Sequence, residues 1–232
     1  MLRTVFDQPK RVDQGLIKQV TDTMSAVEDR YEQNWHRLRG KGEKQYRLLL
    51  WTKSIAVAYD ELEQSVYCSE KFAERVQERF IARMDEEEKD DLRRHLYFYK
   101  NGFIRVFSVL DKLGSYMNEE FSLHTEKMKE RFSYFTVLRR LRELHWHQEL
   151  LYRLNEIKER YRDELQDLRS MRNHEVHAIN AEWMDERGQI RKWPDPKREQ
   201  RENLELNSRT LRSGFNMVSE SLLIVYSYVL QR

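Results

Sequence analysis

Apolar residues recur along this chain at steps of three and four, and almost nowhere at steps of two. Leu16, Val20, Met24, Val27, Tyr31 and Leu38 paint one stripe and predict a first helix over about 11–38. The run Arg39-Gly40-Lys41-Gly42 closes it, because glycine takes the left-handed conformation that helix ends favour. A second helix is expected over about 44–82, with Leu48, Trp51, Ile55, Ala58, Tyr59, Leu62 and Val66 inward and a break near Cys68-Ser69. The acidic run from Asp85 to Asp91 suits a new helix N-terminus, where carboxylates complement the dipole. Asn101-Gly102 predicts a bend, after which Phe103, Val106, Phe107, Leu110, Leu113, Met117 and Phe121 form the cleanest stripe in the chain. One or two helices follow over about 124–183, with Phe132, Phe135, Leu138, Leu141, Leu151, Leu154, Tyr161, Leu165 and Leu168 inward. Trp193-Pro194-Asp195-Pro196 forces a loop. The last helix, about 198–231, is apolar on nearly all sides after Phe215, as a buried or interface helix is.

Composition sharpens this picture in one direction. No proline lies between Pro9 and Pro194, glycine numbers 7, and Glu, Lys, Arg, Leu and Gln dominate. The expected fold class is all-α, an antiparallel helical bundle with additional N-terminal helices, treated as a single domain over 1–232. At this length roughly 70% of the unfolded chain's surface is buried on folding, so no disulfide or metal staple is needed.

The lone Cys68 excludes an internal disulfide framework and fits a reducing compartment. Met1–Lys10 has no apolar signal core, and the longest apolar run, Leu222–Leu230, is interrupted by Ser227 and short of the ~20 residues that span a bilayer. The expectation is a soluble, cytoplasmic protein with no membrane partner. With 42 Lys+Arg against 40 Asp+Glu, any polyanionic partner must be recognised by a local patch and not by net charge.

The common catalytic signatures are missing: no GxxxxGK[ST] loop, no GxGxxG, no GxSxG, no paired cysteines. Cys68 reads as a small core residue. His145 and His147, taken as helical, point about 200° apart and do not share a metal. His174 and His177 bracket Glu175 but fall one residue short of HExxH, so neither a metal nor another cofactor is expected. What remains is Arg172-Asn173-His174-Glu175-Val176-His177, an R-N-x-x-x-H run at the end of a long helix and one loop before the terminal helix. Other Arg/His pairs occur (Arg30/His36, Arg140/His145, Arg142/His147, Arg169/His174), but only Arg172 is followed by a polar Asn in that position.

The run Leu165–His177, together with Val109-Leu110-Asp111-Lys112-Leu113-Gly114 in the preceding bundle helix, resembles the HEPN superfamily, specifically its stand-alone bacterial members. These are helical bundles carrying R-x(4–6)-H with a polar residue, often Asn, after the Arg. The resemblance covers residues 95–232 as a HEPN-like bundle core and leaves 1–94 as N-terminal helices of unassigned role. It implies a metal-independent endoribonuclease, in a setting such as stress or phage defence, built as a homodimer with facing motifs. By that resemblance His177 is the acid/base, Arg172 stabilises the phosphorane and Asn173 orients the site.

The residue types suit the chemistry. Histidine titrates near neutrality and guanidinium donors match phosphate oxygens. Arg172 and His177, five apart, lie about 140° apart on an ideal helix, whereas Asn173 and His177 share a face. A working site therefore needs a distorted turn or a second copy of the motif. The competing reading pairs Arg172 with Glu175, makes His177 a helix C-cap and leaves a catalytically inactive helical-bundle protein–protein interaction module.

Against the enzyme stand His174 and Glu175 inside the motif and the nearby acids Glu164, Asp167, Asp185 and Glu186. In its favour stand Arg139, Arg140, Arg142, Arg160, Arg162, Arg169, Arg187, Arg191, Lys192, Lys197, Arg198 and Arg201, with Trp146, Trp183 and Trp193 for base stacking. The partners that follow are a second copy of the chain, single-stranded RNA and a protein regulator.

Overall fold

The structure, a computed structural model, describes residues 2–37, 42–177 and 200–232. Among the described residues there are seven α-helices and no strand: α1 (Gly15–Arg37), α2 (Glu43–Ala73), α3 (Glu86–Glu120), α4 (Tyr134–Leu144), α5 (Gln148–Arg160), α6 (Arg162–His177) and α7 (Leu204–Leu230). The all-α helical bundle expected from the periodicity is what forms. Contacts divide the chain into two compact units, one of residues 1–10, 62–104 and 162–215, the other of 11–61, 105–161 and 216–232. Helices α2, α3 and α7 each give one segment to each unit.

In the second unit α2 and α3 run antiparallel, tied by Lys112 Nζ to Ser54 Oγ (2.5 Å) and by the Arg105–Glu61 ion pair. Helix α7 is antiparallel to α2 as well, with Tyr59 and Ser219 hydroxyls 2.8 Å apart and Tyr226 donating to Thr52 at 3.4 Å. Tyr31 lies 2.8 Å from Tyr116 through their hydroxyls and donates to Glu120 at 3.1 Å, while the Tyr116 and Tyr226 rings stack at 4.9 Å. Burial pushes all three phenols well above their ordinary range, so they remain neutral hydrogen-bonding groups.

The Asp111–Gly114 stretch also has a visible role in this unit. Asp111 Oδ1 accepts the Tyr134 amide at the start of α4 (3.0 Å), satisfying one of the donors a helix N-terminus leaves open. Gly114 lets the α4 backbone in: a Cβ there would stand 2.9 Å from Tyr134 Cα.

In the first unit Phe6, Cys68 and Phe72 form one apolar cluster, covered by the Arg3–Glu63 ion pair (2.5 Å). Burial, then the Glu63 carboxylate, pushes the Cys68 thiol up to about 11, which fits the inert core residue expected of it. A second cluster joins Val76, Met84, Leu92 and Leu204. Gln200 pairs with Phe80 in an isolated antiparallel bridge, and the Arg201 amide donates to Arg79 O at 2.9 Å. His95 is fully buried here. Its Nδ1 donates to the Ser69 carbonyl at 2.8 Å, its ring stacks on Tyr99 with centroids 5.9 Å apart, and its Nε2 has no hydrogen-bond partner among the described residues.

Four expectations need correction. Cys68-Ser69 is no break: α2 runs through it and stops at Ala73, well before 82, after which Glu88 Oε1 captures the amides of Gln77 and Glu78 (2.6 Å each). Asn101-Gly102 is no bend but mid-α3, because Asn101 donates to Ser65 Oγ (3.1 Å) and Gly102 makes room for the Leu211 side chain of α7. Residues 124–177 form three α-helices, not one or two. His145 and His147, expected on a helix, are left-handed residues (φ 55° and 48°) in the turn between α4 and α5. Helix α7 starts at Leu204, where Asn203 Oδ1 accepts the Leu206 amide at 3.0 Å. The Trp193–Pro196 loop and the Gly40 and Lys41 stop signal lie outside the described residues. Among the described residues no helix is long and apolar enough to cross a membrane.

Two predictions follow from the packing. Gly114→Ala must displace backbone, so it destabilises by about 1–3 kcal/mol in urea unfolding. Gly102→Ala presses only on the ends of the Leu211 side chain, 2.7 Å away, and regains part of that strain from alanine's better helix propensity. Its loss is the smaller of the two, and the reverse order would refute this account.

The second prediction concerns His95. Burial lowers its pKa from the ordinary 6.5, with the Ser69 carbonyl and Glu202 pulling the other way and Arg201 adding to the lowering. As pH falls through about 6.5 the unfolded chain takes up a proton that the folded unit refuses, so stability is lost on acidification. His95→Asn, which keeps a donor toward Ser69, should flatten the dependence of stability on pH between about 7.5 and 5. A slope equal to that of the parent would place the effect elsewhere.

Candidate functional site

Helix α6 begins directly after Tyr161 with Asp163 and Glu164 in its first turn, where carboxylates meet the positive end of the helix. Leu165 and Leu168 are buried, Arg172 and Glu175 half-buried, and Asn173 and Val176 exposed. The buried edge therefore follows 165, 168, 172 and 175, one side of a regular α-helix. Arg172 sits on the flank of that edge with its Nε shielded from solvent. His174 is half-buried, its Nδ1 shielded and without a hydrogen-bond partner among the described residues.

Two neighbouring residues of α3 meet α6. Tyr99 donates its hydroxyl to Met171 Sδ at 2.8 Å, and Lys100 Nζ lies 3.2 Å from Glu175 Oε2. Burial, assisted by the Glu202 and Asp167 carboxylates, pushes the Tyr99 phenol well above its usual range, so it stays a donor. Both members of the Lys100–Glu175 pair are about three-quarters shielded (24% and 23% exposed), enough to place each charge where a partner is needed.

The structure brings Arg172 and Asn173 together in the last two turns of α6 and makes His177 the final residue of that helix. The His177 side chain lies outside the described residues. No turn of α6 is distorted: 162–177 is α-helical throughout, so Arg172 and His177 keep the five-residue separation of a regular helix. The ion pair given to Glu175 is with Lys100, where the sequence suggested Arg172. Of the basic set, Arg162 and Arg169 are exposed on α6 in the first unit, while exposed Arg139, Arg142 and Arg160 and half-buried Arg140 belong to the second. Trp146 is exposed, and Trp183, Trp193, Asp185, Glu186, Arg187, Arg191, Lys192, Lys197 and Arg198 lie outside the described residues. His147 is used structurally, its Nδ1 2.8 Å from the Tyr228 hydroxyl and its ring 4.4 Å from that of Phe121.

Sequence reasoning missed Tyr99 and Lys100. The signal was present: the stripe of α3 continues backward from Phe103 to Tyr99, His95 and Leu92 at helical steps, and the bend expected at Asn101-Gly102 concealed it.

Comparison with known proteins adds one finding. Neither the curated proteins nor the solved structures give a match to the chain. The family model described as HEPN_Cthe2314-like HEPN matches residues 51–230, from within α2 to the end of α7, and so takes in α3, the Asp111–Gly114 stretch and the whole of α6. A match over that much of a helical bundle, with R-N-x-x-x-H at the end of one of its helices, settles the family: the chain belongs to the HEPN_Cthe2314-like HEPN family.

Proposed function

We propose that this protein is a metal-independent endoribonuclease whose site is composed at a homodimer interface from two facing R-N-x-x-x-H motifs. The observation that carries the reading is the unbroken α6, which holds Arg172-Asn173 and His177 in its last two turns at fixed angular spacing. On such a helix Arg172 and His177 are about 140° apart, too far around to serve one phosphate from one chain, and a two-fold partner supplies the complementary residue. Membership of the HEPN family supports the same reading.

The chemistry requires little else. A histidine removes the proton of the RNA 2′-hydroxyl, and that oxygen bonds to the adjacent phosphorus. The P–O5′ bond breaks, and the departing 5′-oxygen takes a proton, leaving a 2′,3′-cyclic phosphate and a 5′-hydroxyl. His177 carries the proton transfers and Arg172 offsets the negative charge that grows on the phosphorane oxygens. Asn173, exposed beside Arg172, orients the substrate or the catalytic side chains.

Labelled single-stranded RNA incubated with the protein in EDTA tests this directly. Arg172→Ala and His177→Ala should each lower cleavage by about a hundredfold or more. Co-expressing the two variants should restore about a quarter of the parent activity, since half of the dimers are mixed and each holds one intact composite site. Two inactive variants that give nothing together would place both residues in one chain's site. Equal cleavage by the parent and His177→Ala would remove the chemistry from this motif and favour an interaction module.

A further inference from the structure

Two residues of the turn between α4 and α5 hold a conformation that side chains rarely adopt. His145 and His147 are both left-handed, with φ of 55° and 48°, at a cost that glycine would avoid. Backbone strain of this kind gathers at ligand sites. Part of it closes α4, where the His145 amide donates to Arg142 O and the Trp146 amide to Leu141 O, at 3.2 Å each. His147 then turns inward, its ring 4.4 Å from Phe121 and its Nδ1 2.8 Å from the Tyr228 hydroxyl. Trp146, between the two, stays out. It is 46% exposed, and its ring meets no other ring or cation among the described residues.

Cations dominate the surroundings. Arg142, exposed one turn earlier, has only the Asn155 side-chain oxygen at 3.5 Å as a partner among the described residues. Arg232 lies 5.7 and 6.0 Å over the Phe121 and Tyr228 rings on which His147 packs, with no carboxylate partner among the described residues. Arg139 and Arg140 share Glu143 at 3.8 Å each, and the opposing charge is Glu149, exposed at the start of α5. The carbonyls at the neighbouring helix ends already have cations, Glu120 O from Lys44 at 2.9 Å and Val229 O from Arg30 at 2.8 Å. An exposed indole with guanidinium groups to spare suits a ligand that carries flat rings and negative charge together, as unpaired bases and their phosphates do. A protein partner would call for a broader apolar surface, whereas Arg142, His145 and Gln148 are the exposed neighbours of Trp146 in the turn.

We propose that the α4–α5 turn is an anchor for single-stranded RNA, in which one unpaired base stacks on Trp146 while Arg142 and Arg232 hold the adjoining phosphates. The choice of RNA rests on the ribonuclease reading above. Binding here does not require the chemistry, so the two are tested apart.

The experiment titrates the full chain into a short, labelled 2′-O-methyl RNA, which has no free 2′-hydroxyl and cannot be cleaved, and follows anisotropy at several salt concentrations. Trp146→Ala should weaken binding about tenfold with little change in melting temperature, and Trp146→Phe, which keeps an aromatic face, much less. Arg142→Ala should weaken it too, and should reduce the slope of log affinity against log salt by about 0.7, the share of one phosphate contact on a single strand. Either alanine variant binding as tightly as the parent overturns the anchor and leaves the ribonuclease reading intact. A parent that binds no single strand also overturns the anchor. A parent that binds through Trp146 and Arg142 yet leaves RNA uncleaved in EDTA keeps the anchor and removes the ribonuclease reading.

Discussion

The 35 residues of α3 form one helix although its centre carries Asn101-Gly102, the pair most prone to interrupt it. The reason is the face that α3 buries. Leu92, His95, Tyr99, Phe103, Val106, Leu110, Leu113 and Met117 follow one another at steps of three and four, on both sides of the glycine, and all are buried. Each large apolar side chain so buried contributes roughly 1.5–3 kcal/mol, whereas a mid-helix glycine costs about 1 kcal/mol. The stripe wins by a wide margin. Gly102 is then an asset, because its missing Cβ admits Leu211. In one unit α6 is fixed to the same helix through Tyr99 and Lys100; in the other, α4 docks against Gly114 with its first amide on Asp111.

What the sequence reveals and what it hides divide along a physical line. Helical class, the α1 and α2 stripes and the N-terminus of α3 are local properties, set by spacing and by residues such as Asp85, whose Oδ1 accepts the Glu88 amide at 2.8 Å. Helix ends that depend on distant groups are not. Glu88, reaching back over Gln77 and Glu78, lies beyond any local rule for where α2 stops. The turn at His145–His147 likewise uses two left-handed histidines, a residue type that carries no strong turn signal, one of them held by Tyr228 at the far end of the chain. Reading them as helical followed from composition, and tertiary contacts decided otherwise.

The candidate site follows the same division. Arg172, Asn173 and His177 stand out as a motif because their spacing is local, and their place at the end of α6 was legible for the same reason. Lys100 was not, since its meaning comes from a pairing across 75 positions of sequence, between helices whose facing edges spacing alone does not match. The fold cannot supply the missing part by analogy, because one helical bundle serves many functions. Family membership narrows the class, while the chemistry must be argued from the last two turns of α6.

That argument turns on charge. Arg172 and Glu175 share the half-buried edge of α6, so neither can be fully hydrated and each needs compensation nearby. With Lys100 opposite Glu175, the neutral pair forms between α3 and α6. On the regular helix α6, positions 172 and 177 stand about 140° around the axis from one another, so the local spacing that makes the motif legible also sets the two positions on different faces.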